Sequence, residues 1–210
     1  MTNAMHPRAE CRAVTLTRLE VRTAAEGSNS AGTLVGYAAI YGSASEDLGG
    51  WREILMPGAF DDVLATDPDV RMPFLDHVGL PMGRTRAGTL RLRSDRTGLA
   101  FEVDVPDTER GRELILAVER GDVNQCSFRF VVLPEDREWI YPEDDLPLRQ
   151  VNRIDELWDV CLVTFPAYST TTAGVRSLDA GPPEPIPADP RALDAVDLRR
   201  RQLRLERRAA

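Results

Sequence analysis

The chain has 210 residues, 42% of them hydrophobic, and a net charge of −8; this is enough to bury one domain core, and no apolar run approaches the roughly 18 residues needed to cross a bilayer. Residues 191–210 hold seven Arg against Asp194, Asp197 and Glu206, a local charge of +4, while the other 190 residues carry 19 Arg against 31 acids, −12. An acidic body argues against nucleic acid as a partner, the start of the chain has no apolar signal core, and a cytoplasmic product is expected.

Along the chain, residues 1–12 read as a flexible N-terminus. Val14 to Arg22 reads as a first strand and Thr33 to Tyr41 as a second, largely buried one. After the loop Gly42–Gly50 and the Pro57-Gly58 turn, a short helix is expected from Ala59. Val70 to Leu75 is a short strand ending at Asp76-His77. Leu90–Arg93 and Leu99–Val105 alternate strictly around Ser94-Asp-Arg-Thr-Gly98, a hairpin signal. Thr108 to Arg120 is the clear helix: Asp107 or Thr108 caps it, Leu114, Ile115 and Val118 give it an apolar face, and Gly121 ends it. Gln125–Leu133 and Leu157–Thr164 are further strands, separated by an acidic, proline-rich loop from Pro134 to Pro147. About seven strands with one or two helices, and no βαβ alternation, predict an α+β domain over residues 13–178 built on an antiparallel sheet or barrel. A stiff Pro-rich linker (179–190) and an Arg-rich helical tail (191–210) are expected to follow.

The chain has two histidines, and His6 lies in the polar start, so His77 is the imidazole with a place in a folded core. Histidine takes and returns a proton near neutrality. With Ser127 and Asp159 it completes a nucleophile–base–carboxylate set in the order His–Ser–Asp, unlike the chymotrypsin, subtilisin and α/β-hydrolase orders. Cys126 is the rival nucleophile, but alternation points it away from Ser127, with Phe128 and Phe130. Asp155 and Glu156 are rivals to Asp159; two-residue periodicity places Asp159 and Cys161 on one face and Glu156 on the other. Cys11, Cys126 and Cys161 form no CxxC pair and no second imidazole supports a metal, so neither disulfide, metal nor cofactor is expected.

Gly36-Tyr-Ala-Ala-Ile-Tyr41, Pro57-Gly-Ala-Phe60, His77 with Met82-Gly-Arg84, Gly98-Leu-Ala-Phe101, Val123-Asn-Gln-Cys-Ser-Phe-Arg-Phe130 and Asp159-Val-Cys-Leu-Val-Thr-Phe-Pro-Ala-Tyr168 occur in the order seen in tailed-phage prohead proteases, and over residues 14–178 the chain resembles that family. These are capsid-maturation serine proteases with a fold similar to the herpesvirus assemblins. The resemblance implies His77 as base, Ser127 as nucleophile and Asp159 where the family usually carries Glu. It also implies an oxyanion hole at Pro166-Ala167-Tyr168, by analogy with the assemblins; Arg84 and Arg129 are further candidates. Three departures stand out: Asp159 is one methylene shorter than Glu, Arg129 replaces a normally small residue, and Val78 stands where Asp often follows the His. The implied partners are the major capsid protein, the scaffold and the protease itself, inside an assembling procapsid in the bacterial host's cytoplasm, with no membrane. The reading from another class is a scaffold protein that keeps the fold without the chemistry.

Overall fold

The computed structural model describes residues 9–15, 19–24 and 29–164. Among these, the strands in chain order are β1 Glu10–Thr15, β2 Leu19–Arg22, β3 Ser30–Ile40, β4 Arg52–Leu55, β5 Arg71–Leu75, β6 Val78–Arg84, β7 Leu90–Ser94, β8 Gly98–Pro106, β9 Gln125–Val131, β10 Arg137–Ile140, β11 Leu148–Val151 and β12 Glu156–Val163. Two α-helices interrupt them, α1 Asp61–Ala65 and α2 Glu109–Glu119.

The strands form three open sheets: β1-β9-β12-β5-β6, β2-β3-β8-β7 and β10-β11-β4. The β4–β11 and β5–β12 pairs are parallel. For the antiparallel sheet or barrel of about seven strands expected from sequence, no closed barrel is found among the described residues, which form more strands in three sheets, two of them with a parallel pair. The strand expected at Val14–Arg22 is two strands in different sheets: β1 pairs with β9 and β2 with β3. Strand β1 also begins at Glu10, inside the segment expected to be a loose N-terminus, and β10 lies within the expected Pro134–Pro147 loop. The linker 179–190, the tail 191–210 and the loop Pro166–Tyr168 lie outside the described residues.

Where alternation was strict, the expectation holds. The β7–β8 hairpin pairs Leu90 with Val103 and Leu92 with Phe101, and Leu90, Phe101 and Val103 are buried. Helix α2 is capped by Thr108, whose Oγ1 accepts from the Gly111 N–H at 3.1 Å, and it buries Leu114 and Val118. Gly98 has no substitute: a Cβ there would come within 1.9 Å of the Ala39 carbonyl oxygen, at the irregular register that joins β3 to β8.

Strand β9 is the pivot of the fold. One of its faces sends Cys126, Phe128 and Phe130 into the core, where Phe128 meets Phe130 at 4.9 Å and Phe60 at 5.7 Å between ring centroids. Its other face carries Ser127 and Arg129, so hydrophobic burial of one set of residues fixes the direction of the other.

Edge strand β1 is tied down by buried charge. Glu10, Glu53 and Arg149 are buried and Arg12 nearly so. Arg149 Nη2 donates to Glu10 Oε1 at 2.8 Å, Arg149 Nη1 lies 3.1 Å from Glu53 Oε2, and Arg12 bridges Glu10 at 2.7 Å and Glu53 at 2.9 Å. Burial works against the charged form of Glu10, but the Arg149 hydrogen bonds and the Arg12 charge outweigh it and hold its carboxyl below the usual range. Two carboxylates and two guanidiniums pair with one another and link β1 to β4 and β11.

Candidate active site

His77 sits in a two-residue hairpin turn. Strands β5 and β6 are joined by Asp76 and His77, closed by the Leu75–Val78 pair, and both turn residues have positive φ, 52° and 58°. This is the type I′ geometry that matches strand twist, usually supplied by Asn or Gly. For non-glycine residues it costs on the order of 1 kcal/mol each, and surrounding contacts must hold it. They do so on every side. Asp76 N–H donates to the Leu162 carbonyl at 3.0 Å, and its Oδ1 accepts from Thr164 N–H at 2.9 Å. His77 N–H donates to Cys161 Sγ at 3.1 Å, and Arg129 Nη2 donates to the His77 carbonyl at 3.0 Å. The ring is thus aimed by its own backbone.

Strand β12 supplies the carboxylate. Its register against β9 slips between Leu157 and Asp159, leaving Trp158 as an extra residue. The bulge reverses the alternation: Leu157 pairs with Phe130 on the core side, whereas Asp159 and Cys161 pair with Arg129 and Ser127 on the other. Asp159 and Cys161 share a face, as expected. Glu156 does not take the opposite face: it pairs with Val131, on the parity of Ser127, because the bulge lies between it and Asp159. It is exposed and accepts from Trp158 Nε1. Asp155 accepts from the Leu133 N–H at 2.8 Å and serves the local turn.

His77 Nδ1 lies 2.8 Å from Asp159 Oδ1, and Arg129 Nη2 lies 2.6 Å from Asp159 Oδ2. Arg129 therefore grips the Asp159 carboxylate and the His77 carbonyl together, a role for the bulky residue that local sequence does not reveal. Arg84 is turned away, donating to Asp69 at 2.6 and 2.7 Å, and is no part of the site. The oxyanion candidates Ala167 and Tyr168 lie outside the described residues.

The member that sequence reasoning missed is Cys11. Its sulfur lies 3.1 Å from Ser127 Oγ and 3.4 Å from His77 Nε2, in contact with both. Cys11 pairs with Arg129 across β1–β9, so it lies diagonally beside Ser127 on the same face. The set is then Ser127, Cys11, His77, Asp159 and Arg129. Burial disfavours charge on His77, but the Asp159 hydrogen bond and the contact with Cys11 raise its pKa to about 9. Burial likewise opposes the Cys11 thiolate, and the His77 hydrogen bond and charge overcome it and lower the thiol's pKa. Proton exchange between sulfur and Nε2 ties the two shifts together. Cys126 is fully buried on the core side, where burial raises its pKa, and burial pushes Cys161 up to about 12. Both are inert thiols. Cys126 is not the rival to Ser127; Cys11 is nearer that description. No group of three or more potential metal ligands occurs among the described residues.

A family model, caudovirus prohead serine protease, matches residues 17–182. The chain belongs to that family. It is a serine protease of phage prohead maturation. A solved structure, "Structure of the bacteriophage T4 capsid assembly protease, gp21", aligns with 74% of this chain and 97% of its own at 10% identity and a TM-score of 0.48. No curated protein matches. No helix of the protease among the described residues is long and apolar enough to cross a membrane.

Proposed function

We propose that Ser127 attacks the scissile carbonyl, His77 takes its proton and returns it to the leaving amine, and Asp159 orients the imidazole. The observation that carries this reading is the 2.8 Å bond between Asp159 Oδ1 and His77 Nδ1, with Nε2 directed to the side of the sheet that bears Ser127. A carboxylate on Nδ1 holds the proton there, leaves Nε2 as the basic nitrogen and stabilises the imidazolium that forms. Arg129 fixes the second oxygen of that carboxylate, which compensates for the short Asp159 side chain. Attack by Ser127 requires the Cys11 sulfur to take back the Nε2 proton and then to clear Nε2 by rotation about the cysteine's χ1, which leaves the neutral imidazole as the base. The Ala167 and Tyr168 backbone N–H groups are the proposed oxyanion donors. The reaction uses no cofactor.

The proposed substrates are the scaffold or the scaffolding segment of the major capsid protein, and the protease itself. Cleavage takes place inside the assembling procapsid, in the host cytoplasm. Co-expression with the capsid protein, read by intact mass, tests this. Ser127→Ala is expected to fold and to lose on the order of 10⁴ to 10⁶ in turnover. Normal processing by a folded Ser127→Ala protein would refute the nucleophile. Absence of fluorophosphonate labelling in assembled particles would favour a scaffold without chemistry.

A further inference from the structure

The resting site contains a thiol that the serine mechanism does not use. Cys11 Sγ touches both His77 Nε2 at 3.4 Å and Ser127 Oγ at 3.1 Å. A cysteine at hydrogen-bond distance from an imidazole whose far nitrogen is held by a carboxylate is the arrangement that turns a thiol into a thiolate. The strand that carries it cannot drift, because Glu10 and Arg12 on either side are locked into the buried pairs with Arg149 and Glu53. Cys11 is also the one cysteine of the three that is not buried.

We propose that Cys11 is a covalent-modification site built into the active site: a thiolate held against protonated His77, open to hydrogen peroxide and to soft alkylating electrophiles, whose modification silences the peptidase. Only the silencing rests on the serine reading; the reactivity of Cys11 does not. With peroxide the sulfur attacks one oxygen, an S–O bond forms and the O–O bond breaks. The departing hydroxide takes the Nε2 proton of His77 and leaves as water. Sulfur is oxidised by two electrons to the sulfenic acid, peroxide is reduced, and a thiol reductant reverses the change. An oxygen or an acetamide group on the sulfur then fills the space through which Ser127 must reach Nε2. The direction of the two pKa shifts, down for Cys11 and up for His77, agrees with this charge state.

The test is alkylation of the native full-length protein by iodoacetamide between pH 5 and 9, followed by intact mass and peptide mapping. One equivalent is expected, on Cys11, with a rate at pH 6 at least tenfold above that of a free peptide spanning residues 8–14. An ordinary thiol with a pKa near 8.5 loses about tenfold in thiolate for each unit below it, so the wild-type profile is expected to stay flat where the peptide's falls. His77→Gln is expected to lower the rate at pH 6 at least tenfold. A peptide-like profile, or an unchanged rate in a folded His77→Gln protein, overturns the proposal; if that variant does not fold, the wild-type profile alone decides. Alkylation is expected to cut fluorophosphonate labelling of Ser127 at least tenfold, and peroxide to do the same until dithiothreitol is added. Undiminished labelling overturns the silencing. The alkylation profile needs neither substrate nor Ser127, so its failure and a failure of the serine reading are told apart.

Discussion

Replacing Asp159 by Asn probes the geometry most directly, because one carboxylate serves two partners. Its Oδ1 sits 2.8 Å from His77 Nδ1 and its Oδ2 2.6 Å from Arg129 Nη2, with 9% of the side chain exposed. The amide keeps the shape but removes the charge that fixes the tautomer. In a well-studied triad this costs about 10⁴ in turnover, or about 5.5 kcal/mol of barrier at 1.36 kcal/mol per decade. It also leaves the Arg129 guanidinium, 21% exposed, without its anionic acceptor, a loss of about 1–3 kcal/mol. For a domain of this size each kcal/mol lowers the melting temperature by about 2–4 °C. Capsid-protein cleavage in co-expression and thermal unfolding of the purified variant are the two assays. Asp159→Asn with Arg129→Met should recover part of the stability and none of the activity, because the orphaned charge goes together with the Arg129 bond to the His77 carbonyl, and the tautomer stays wrong. Glu156→Gln should change neither, since among the described residues its exposed carboxylate accepts from Trp158 Nε1 and does not reach His77. Cleavage by Asp159→Asn within tenfold of wild type, or equal losses in Asp159→Asn and Glu156→Gln, would refute the assignment.

The site also predicts a pH dependence. His77, raised to about 9 from 6.5, stabilises the fold fully below pH 6.5 and loses that contribution as pH rises towards 9; Cys11, lowered from 9.0, stabilises above pH 9 and loses its contribution as pH falls through its folded value. Above pH 6.5 the two slopes oppose each other, and Cys11→Ala removes the thiol's slope while leaving the Asp159 hydrogen bond that raises His77, so its melting temperature should fall with rising pH there; a slope unchanged from wild type would count against the ion pair. Arg149→Met should destabilise by about 3–5 kcal/mol, because Glu10 and Glu53 are left buried without it; a melting temperature within two degrees of wild type would show the cluster to be dispensable. Asp159→Glu, which restores the family's usual residue, should retain at least a tenth of wild-type cleavage, and a loss like that of Asp159→Asn would show that Arg129 has fitted the site to the shorter acid.

The sequence by itself determined the elements whose signals are local. The β7–β8 hairpin follows from strict alternation, and helix α2 from a capping Thr108 and an apolar face three and four residues apart. His77 stood out because the chain has two histidines, and Ser127 and Asp159 were legible through the motif order of the resemblance; the structure brings Asp159 to His77. Strand β6 was not legible, since Val78-Gly-Leu-Pro-Met-Gly-Arg84 carries the Gly and Pro that usually deny a strand; as the outer strand of its sheet it tolerates a proline. The parallel β4–β11 and β5–β12 pairs leave no mark in either partner. The reversal of alternation at Trp158 depends on the register against β9, which no window of β12 contains. Cys11 reaches Ser127 across 116 residues of sequence, through β1 pairing with β9 and through buried charges on β4 and β11. Local pattern decides which way a side chain points along its own strand; only the folded sheet decides which other side chain it meets.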